Sequence, residues 1–398
     1  CSFCALCPCP DVRSDLMKAK SAFIQRDGLN PSIRFMEDVE RVAAVCGAYP
    51  RLTNALLKSR LIGPALKKLG GIHAERDLPL FPDENFPAWA RRRGLHRMGA
   101  GRGRKVAYFA GCTGQYLFPA VPKAVVEVLQ RNDIEVYYPE QKCCGMPSML
   151  EGDRGLTLEL AEFNLERLGE TVQAGYDIVC SCPTCGYMLK YVLSEGACHA
   201  VHNSSFSARR EPHLNEPPMA SQAGGRQPAS TGRHVFVAHV RDEGYFASLD
   251  AEMRLEVANH TYDLGEYLLA LHHLGELNTE FGSLTARMAY YAPCHLREQK
   301  IGSPWPELLN LVSGISMETI DGAFYCCGMG GIMGFKEEFH QVSLKIGSPL
   351  MEKINAIHPE RILTDCLSCR LQFNHLAACR VFHPVEVLRE AYAGCETR

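Results

Sequence analysis

Cys143-Cys144-Gly145-Met146-Pro147 has a near-copy later in the chain, Cys326-Cys327-Gly328-Met329-Gly330. Further cysteines flank both copies at matching distances, with Cys112 and Cys294 upstream and Cys182, Cys185, Cys366 and Cys369 downstream. Equivalent cysteines are separated by 182 to 184 residues in every case. Five positions that keep register over such a distance indicate a tandem duplication. We therefore predict two copies of one cysteine-rich module.

The composition is that of a globular protein with an unusual load of cysteine. The chain has 398 residues, of which 46% are hydrophobic and 22% are charged, and its net charge is -3. This length suits two or three domains, and the charge gives no bulk reason to expect a nucleic-acid partner. No apolar run approaches the roughly eighteen residues that a membrane-spanning helix needs.

Nineteen cysteines pose a choice between disulfides and metal ligands. Disulfide scaffolds are typical of short secreted chains that lack a core, whereas this chain has ample apolar residues to build one. Adjacent cysteine pairs and Cys-x-x-Cys units are also poorly suited to linking distant segments. We therefore predict a reducing, cytoplasmic setting in which most thiolates bind iron. Zinc stays the competing metal, because Cys-x-x-Cys alone also suits zinc.

Within each module, short apolar strands lead into cysteine loops and then into helices. In the first module we expect strands at 106–110, 135–138 and 177–179 and helices at 121–131, 156–172 and 186–193. In the second we expect strands ending before Cys294 and at 361–364, and helices at 344–357 and 383–388, the last being the counterpart of 262–268. This alternation predicts an α/β fold with two tandem βαβ-type repeats in pseudo-symmetric arrangement. Because ligand sites lie beyond the carboxyl ends of parallel strands, the cysteines of each module are expected to converge.

The N-terminus reads Cys1-Ser2-Phe3-Cys4-Ala5-Leu6-Cys7-Pro8-Cys9-Pro10. Three cysteines spaced by two residues and then Cys-Pro resemble half of a bacterial two-cluster ferredoxin. The gap before Cys9 is shorter than usual, which leaves the role of Cys9 open. A complete two-cluster unit also needs a second cysteine quartet, so we expect either that a first ferredoxin half is missing or that the fourth ligand comes from elsewhere. We expect Cys1, Cys4, Cys7 and Cys9 to hold at least one cubane 4Fe–4S cluster. The alternative is an N-terminus without metal.

Four parts follow from these patterns: a small α-helical, partly ferredoxin-like region at 1–90, a basic linker at 91–104, a first cysteine-rich domain at 105–275 and a second at 284–398. The Ser, Pro, Gly and Asn content at 197–233 indicates an ill-packed insertion in the first domain. Helices are expected from 11 to 45, broken at 28–31, and from 52 to 72, split at Gly63-Pro64. The basic, amphipathic stripe at 52–72 favours packing on the protein itself, and a membrane surface is the alternative.

With these residues in view, the chain resembles the heterodisulfide reductase B/D family, whose members share a duplicated cysteine-rich CCG domain. The spacings are Cys-x30-Cys-Cys-x37-Cys-x2-Cys and Cys-x31-Cys-Cys-x38-Cys-x2-Cys, within a residue or two of the family's pattern. In this family, a similar module binds a noncubane four-iron cluster through five cysteine thiolates. The resemblance therefore implies two noncubane 4Fe–4S clusters.

The resemblance also implies a role for individual residues. Cys112, Cys143, Cys144, Cys182 and Cys185 would hold one cluster, and Cys294, Cys326, Cys327, Cys366 and Cys369 would hold the other. Cys46, Cys180, Cys198, Cys379 and Cys395 have no place in the pattern, and we expect them to be small buried hydrophobic residues. His295 follows Cys294 and is a candidate proton-handling residue beside a cluster. A structural role for His295 is the preferred interpretation.

Two functions from different classes are consistent with the resemblance. The first is an iron–sulfur electron-transfer subunit of an anaerobic respiratory oxidoreductase complex. It would pass electrons from a flavoprotein dehydrogenase, similar to glycerol-3-phosphate dehydrogenase or 2-hydroxy-acid oxidase, to a quinone or membrane partner. The alternative is a heterodisulfide (disulfide) reductase catalytic subunit. Both functions predict an oxidoreductase subunit in the cytoplasm, and attachment to the inner face of the membrane is left open. A third hypothesis is a structural module that binds zinc.

Overall fold

The structure, a computed structural model, describes residues 12–99, 101, 103–199, 240–242, 244–320 and 325–396. Two four-stranded sheets, one in each cysteine-rich module, contain parallel strands throughout. The α/β fold with two tandem repeats is therefore confirmed. The four N-terminal cysteines that were predicted to form a ferredoxin-like site lie outside the described residues.

Short helices make up the region before the modules. They are α1 (Val12–Asp27), α2 (Pro31–Glu37), α3 (Val39–Cys46), α4 (Pro50–Lys58), α5 (Ile62–Leu69) and α6 (Phe86–Arg92). The break predicted at 28–31 is confirmed, since Asn30 caps α2 and Pro31 begins it. The split predicted at Gly63-Pro64 falls earlier, between α4 and α5, because Pro64 lies in the first turn of α5. Proline is tolerated there, since the first helical N–H groups have no partner within the helix.

The segment predicted as a basic linker is partly structured and packed. Its first two residues, Arg91 and Arg92, belong to α6. Leu95 is buried, and its carbonyl accepts a hydrogen bond of 2.7 Å from the N–H of Tyr138. The basic residues of this segment therefore flank an apolar anchor that contacts the first module.

The first module contains β1 (Lys105–Phe109), β2 (Glu135–Tyr137), β3 (Asp177–Cys180) and β6 (Thr261–Asp263), in the order β2-β1-β3-β6. Its helices are α7 (Gly111–Tyr116), α8 (Ala120–Arg131), α9 (Met146–Glu151), α10 (Arg154–Gln173), α11 (Pro183–Tyr187), α12 (Ala251–Asn259) and α13 (Leu264–His273), and a π-helical turn spans Met188–Val192. The central strand β1 is an almost continuously buried run, as expected for a parallel strand covered on both faces.

The closing segment of the first module differs in detail from the prediction. The stretch at 262–268, predicted as helix, begins with the short strand β6, which pairs with β3. Helix α13 follows, capped by Asp263 and Glu266 in a reciprocal capping box. Three residues are too few to show a strand periodicity, so the sequence indicated only the helix.

Two short antiparallel strands flank the predicted insertion. Strand β4 (Ala197–His199) pairs with β5 (Val240–Asp242), with Ala197 opposite Asp242. The first residues of the stretch at 197–233 are therefore in a strand. The rest of that stretch lies outside the described residues.

The second module repeats the four strands of the first sheet and most of its helices. It contains β7 (Ala286–Tyr291), β8 (Ile315–Ile320), β9 (Arg361–Leu363) and β10 (Arg380–Phe382), in the order β8-β7-β9-β10. Its helices are α14 (Cys294–Glu298), α15 (Pro304–Asn310), α16 (His340–Ala356), α17 (Leu367–Leu376) and α18 (Pro384–Glu396), with 3-10 turns at Met333–Phe335 and Glu337–Phe339 before α16. The strand order matches that of the first module position for position, which confirms the duplication.

Contacts between the modules come in equivalent pairs. Helix α8 packs on α18 and its counterpart α15 packs on α13, while α11 packs on α14 and its counterpart α17 packs on α7. A buried ion pair of 2.5 Å between Lys336 and Glu151 also joins the modules. Because α7, α11, α14 and α17 each carry motif cysteines, this pseudo-twofold packing brings the cysteine loops of both modules together.

None of the helices in the described part of the chain has the length and apolar character that a bilayer crossing requires.

Candidate metal centre

The motif cysteines of the first module converge as the sequence predicts. Cys112 lies in α7, after β1, and Cys182 and Cys185 lie at the start of α11, after β3. Cys143 and Cys144 occupy the loop between β2 and α9. All five side chains are buried. Each loop follows the carboxyl end of a parallel strand, which is where parallel sheets place ligands.

The five sulfurs form one connected series. The Sγ atoms of Cys112 and Cys143 are 3.3 Å apart. Hydrogen bonds from Cys143 and Cys185 lower the pKa of Cys144 to about 6, which favours its thiolate form. Cys185 also bonds to Cys182, and the bonds from Cys185 and Cys366 lower the pKa of Cys182 well below its usual value. Thiolates are the form in which cysteine binds metal.

The second set of five cysteines has the same arrangement. The Sγ atoms of Cys369 and Cys327 are 3.2 Å apart. Hydrogen bonds from Cys326 and Cys369 lower the pKa of Cys327 well below its usual value. The hydrogen bond with Cys327 has the largest effect on Cys326 and raises the pKa of its thiol. The charge of the nearby Cys294 raises this pKa further. Cys294 and Cys326 are half-buried, unlike the others.

The two sets of sulfurs meet at Cys182 and Cys366. These residues are equivalent in the repeat, and a side-chain hydrogen bond joins them. Their contact therefore lies at the pseudo-twofold axis between the modules. The Oγ1 atom of Thr184 is 3.7 Å from the Sγ atom of Cys366 and adds a second link across the axis. The ten motif cysteines thus form two sets that touch.

His295 lies between the two sets. Its Nδ1 atom is 2.9 Å from the Oγ1 atom of Thr184, and its ring stacks on Tyr187 with the ring centres 5.2 Å apart. Its positive charge, when present, helps to lower the pKa of Cys327, after the effects of the neighbouring cysteines. His295 therefore links the modules through hydrogen bonding and stacking. Its role in proton handling stays a prediction.

Two amides that the sequence patterns did not reveal hold the cysteine loops of the first module. The Oε1 atom of Gln141 accepts hydrogen bonds from the N–H groups of Ala110 and Gly111, at 2.8 and 3.3 Å. Asn164 of α10 donates to the carbonyl of Cys143 at 2.9 Å and accepts from the N–H of Lys142. A lone buried amide has no sequence signature, so periodicity and spacing could not have found either residue.

The N-terminal region contributes one charged group next to each set of cysteines. Glu40 of α3 accepts a 2.5 Å hydrogen bond from the N–H of Cys143, and burial raises the pKa of Glu40. Arg76 is completely buried, donates to the Sδ atom of Met329 at 3.2 Å, and lies over the ring of Phe335. Burial lowers the pKa of Arg76 to about 10. The negative charges of the nearby Asp77 and Cys327 act in the opposite direction.

The first set of cysteines fits a bound iron–sulfur cluster. All five sulfurs line one cavity, together with Leu367 and Ser368 of the second module. Gly111 leaves room at this cavity, because a Cβ atom there would lie 2.7 Å from the Sγ atom of Cys185. Several thiols within hydrogen-bonding distance of one another and away from water are a donor set for soft metals such as iron in clusters.

Substitution of Gly111 by alanine tests this fit. Its φ of +66° is strained for alanine, so we expect a loss of about 1–2 kcal/mol in the free energy of unfolding. We also expect a lower iron content in the first module, because the new methyl group displaces Cys185. Gly175→Ala is the matched control, since Gly175 has a φ of +82° and a methyl group added there would have no neighbour within 4 Å. Equal iron contents in the two variants, measured after urea unfolding has shown both to be folded, would count against the fit.

The remaining cysteines lie apart from the two sets. Cys180 is buried in β3, where burial raises its pKa well above the usual value. Cys46, Cys379 and Cys395 are half-buried rather than fully buried. The prediction that the five cysteines outside the pattern are small buried residues is therefore right for Cys180 and too strong for Cys46, Cys379 and Cys395. The side chain of the fifth, Cys198, lies outside the described part of the structure. Fourteen cysteines whose side chains are described form no disulfide bond.

Comparison with known proteins agrees with this architecture. The family model described as a cysteine-rich CCG domain matches residues 106–190 and 288–374. Each match begins in the central strand of its sheet and ends beyond the Cys-x-x-Cys unit, so it contains all five cysteines of its set. The chain therefore contains two CCG domains.

Several curated proteins are similar along much of the chain. One subunit of the anaerobic glycerol-3-phosphate dehydrogenase of Escherichia coli is 23% identical over 371 residues, which cover 92% of this chain and 79% of that protein. Lactate utilization protein A of Bacillus pumilus is 26% identical over 58% of this chain and 75% of that protein. One subunit of the fumarate reductase (CoM/CoB) of Methanothermobacter marburgensis is 23% identical over 75% of this chain, which spans about half (49%) of that protein. The chain, with its two CCG domains, is therefore similar to proteins of the heterodisulfide reductase B-like kind.

Proposed function

We propose that the chain is the iron–sulfur electron-transfer subunit of an anaerobic respiratory oxidoreductase complex, with a noncubane 4Fe–4S cluster in each module. The observation that carries the proposal is the contact between Cys182 and Cys366, which joins the two sets of sulfurs. Two clusters whose cysteine ligands are in contact can exchange electrons directly, without another redox group between them. Iron–sulfur clusters bound to these thiolates would supply one-electron redox chemistry.

The protein's own residues hold, orient and shield the two sites. Gln141 and Asn164 fix the backbone of the loops that carry Cys112 and Cys143. Glu40 and Arg76 place charges of opposite sign beside the first and second sets. A positive charge favours a reduced, more negative site and a negative charge disfavours it. Arg76 therefore makes the second module the better electron acceptor of the two.

The names of the similar proteins support a role within a larger complex. Two of them are a subunit of a dehydrogenase and a subunit of a fumarate reductase. We propose a flavoprotein dehydrogenase as the electron donor and a quinone or membrane partner as the acceptor. A cubane cluster held by the N-terminal cysteines (Cys1, Cys4, Cys7 and Cys9) would provide a further redox site in this scheme.

A disulfide reductase is the second candidate, and one observation favours it. The cavity that all five sulfurs of the first set line also contacts Leu367 and Ser368 of the second module. A disulfide that approaches a cluster bound in this cavity would therefore lie beside both modules. Cleavage of its S–S bond would take up two electrons and two protons and would release two thiols.

Reoxidation of the reduced protein separates the two candidates. Anaerobically purified, cluster-loaded protein is reduced with dithionite, freed of excess reductant, and mixed with either a water-soluble naphthoquinone or an organic disulfide. We expect the naphthoquinone to restore the oxidised absorbance spectrum and the disulfide to leave the reduced spectrum unchanged. Reoxidation by the disulfide alone, with a new paramagnetic species on the oxidised protein, would overturn the electron-transfer proposal in favour of the reductase.

A further inference from the structure

A cluster of histidine and carboxylate side chains lies outside the cysteine sites. His73, Glu75 and His340 offer one potential ligand atom each, and these atoms all lie within 4.8 Å of one another. His340 begins α16 in the second module, while His73 and Glu75 belong to the loop after α5 in the N-terminal region. The cluster therefore spans the junction between two parts of the chain.

Backbone hydrogen bonds fix the two halves of this junction. Ile72 and Lys336 form an antiparallel bridge, and the N–H of His73 donates to the carbonyl of Phe335 at 3.1 Å. The Nζ atom of Lys67 donates to the carbonyl of Ala74 at 3.0 Å. The loop that carries His73 and Glu75 is thereby held against the start of α16, so the three side chains are positioned by backbone contacts on both sides.

The imidazole nitrogens at the junction are poorly satisfied by the protein. His340 is 1% exposed, and its Nδ1 atom has no hydrogen-bond partner among the described residues. The Nδ1 atom of His73 accepts only a long bond of 3.3 Å, from the N–H of Glu75. The two rings stack with centres 3.9 Å apart and planes 6° apart, so one ring has to turn out of the stack before both can bind the same ion. A buried nitrogen without a partner is costly, and a bound cation would satisfy it.

The charges around the junction suit a cation of charge two. Glu75 belongs to the cluster itself, and Asp77 lies 3.1 Å from the Nδ1 atom of His375, whose ring is a near neighbour of the His340 ring. Arg76 is the opposing positive charge near His340. Lys67, whose Nζ atom lies on the carbonyl of Ala74, is a second positive charge, so the two carboxylates balance the two cations and a divalent ion meets no excess of positive charge.

We propose that His73, Glu75 and His340 bind a divalent transition-metal ion that fastens the N-terminal region to the second module. Two imidazoles and one carboxylate form a donor set typical of zinc and of non-haem iron(II). Tetrahedral zinc with bonds of about 2.0–2.1 Å keeps its ligands about 3.3 Å apart. Binding therefore requires one imidazole to turn out of its stack with the other, while the three ligand atoms move closer together than the 4.8 Å within which they now lie. The proposal is independent of the clusters, since the site contains no cysteine.

Zinc is the probe, because its X-ray absorption edge is separate from that of iron. Cluster-loaded protein is dialysed anaerobically against micromolar Zn²⁺, and zinc, iron and sulfide are then measured. We expect about one zinc per chain with nitrogen and oxygen ligands at about 2.0 Å and no sulfur shell at about 2.3 Å. His340→Asn and Glu75→Gln are each expected to weaken zinc binding at least tenfold and to leave the iron and sulfide contents unchanged.

His358→Gln is the matched control, because His358 is an exposed histidine beyond the end of α16. It should bind zinc like the unmodified protein. If His340→Asn loses iron through misfolding, Glu75→Gln decides the matter, since Glu75 is exposed and its replacement leaves the core intact. Zinc bound through sulfur, no zinc above the level of the variants, or undiminished binding in Glu75→Gln would overturn the proposal.

Discussion

Substitution of Cys144 by serine is expected to remove the iron of the first module, about four atoms per chain, while the second module keeps its own. Cys144 lies at the centre of its set and accepts hydrogen bonds from both Cys143 and Cys185. A serine hydroxyl is a far poorer ligand for iron than a thiolate, since soft sulfur donors are what such clusters select. Iron and acid-labile sulfide measured on anaerobically purified protein would show the loss.

Cys180→Ala is the matched control for this substitution. Cys180 is as well buried as Cys144 and precedes Cys182 by two residues, but it lies in β3 rather than in the cysteine loops. Its replacement should leave the iron content unchanged. Cys327→Ser should mirror Cys144→Ser by removing the iron of the second module instead. Equal iron losses in Cys144→Ser and Cys180→Ala would mean that burial of cysteine, rather than ligation, determines the iron content.

Arg76→Gln is expected to lower the reduction potential of the redox centre in the second module by about 90 mV. In the described part of the structure, the Nε and Nη1 atoms of Arg76 have no hydrogen-bond partner, so its charge is compensated mainly through space. For two unit charges taken to be about 8 Å apart, Coulomb's law with an effective dielectric constant of about 20 gives an energy of about 2 kcal/mol. That energy equals about 90 mV for a one-electron couple. A redox titration followed by electron paramagnetic resonance would measure the shift.

The sign of the shift follows from the charge. Reduction adds an electron to the site, and the guanidinium of Arg76 stabilises the reduced form more than the oxidised form. Removal of the positive charge therefore makes the potential more negative. Arg76→Lys keeps the charge and should shift the potential by less than half as much, which separates electrostatics from packing on Met329 and Phe335. An unchanged or raised potential in Arg76→Gln would contradict this role.

The duplication and the convergence of the cysteines could be predicted from the sequence because both depend on local patterns. A strand followed by a cysteine loop recurs with a fixed offset, and parallel strands then place the loops at one edge of the sheet. The bounds of β1, β3 and α10 lie within two residues of the predicted ones. Strand β6 was missed because it forms only through pairing with β3. Pro64 was predicted to separate two helices, but it lies in the first turn of α5, because that helix begins at Ile62.

The contacts between distant parts of the chain could not be predicted. Arg76 lies 251 positions before Cys327 in the sequence and reaches its neighbourhood only through the bridge between Ile72 and Lys336. The meeting of Cys182 and Cys366 depends on how the two modules pack, which no spacing within one module encodes. The pairing of His73 with His340 has the same origin. Arg76, His73 and His340 belong to no motif, so their roles emerge only from the tertiary structure.

The iron content of the undamaged protein tests the central claim most directly. Anaerobically purified chain should contain at least about eight irons with matching acid-labile sulfide, four for each set of five cysteines, and give the paramagnetic signals of two such clusters. Clearly fewer than eight irons, or zinc in their place in a colourless protein, would contradict the assignment of a redox cluster to each module.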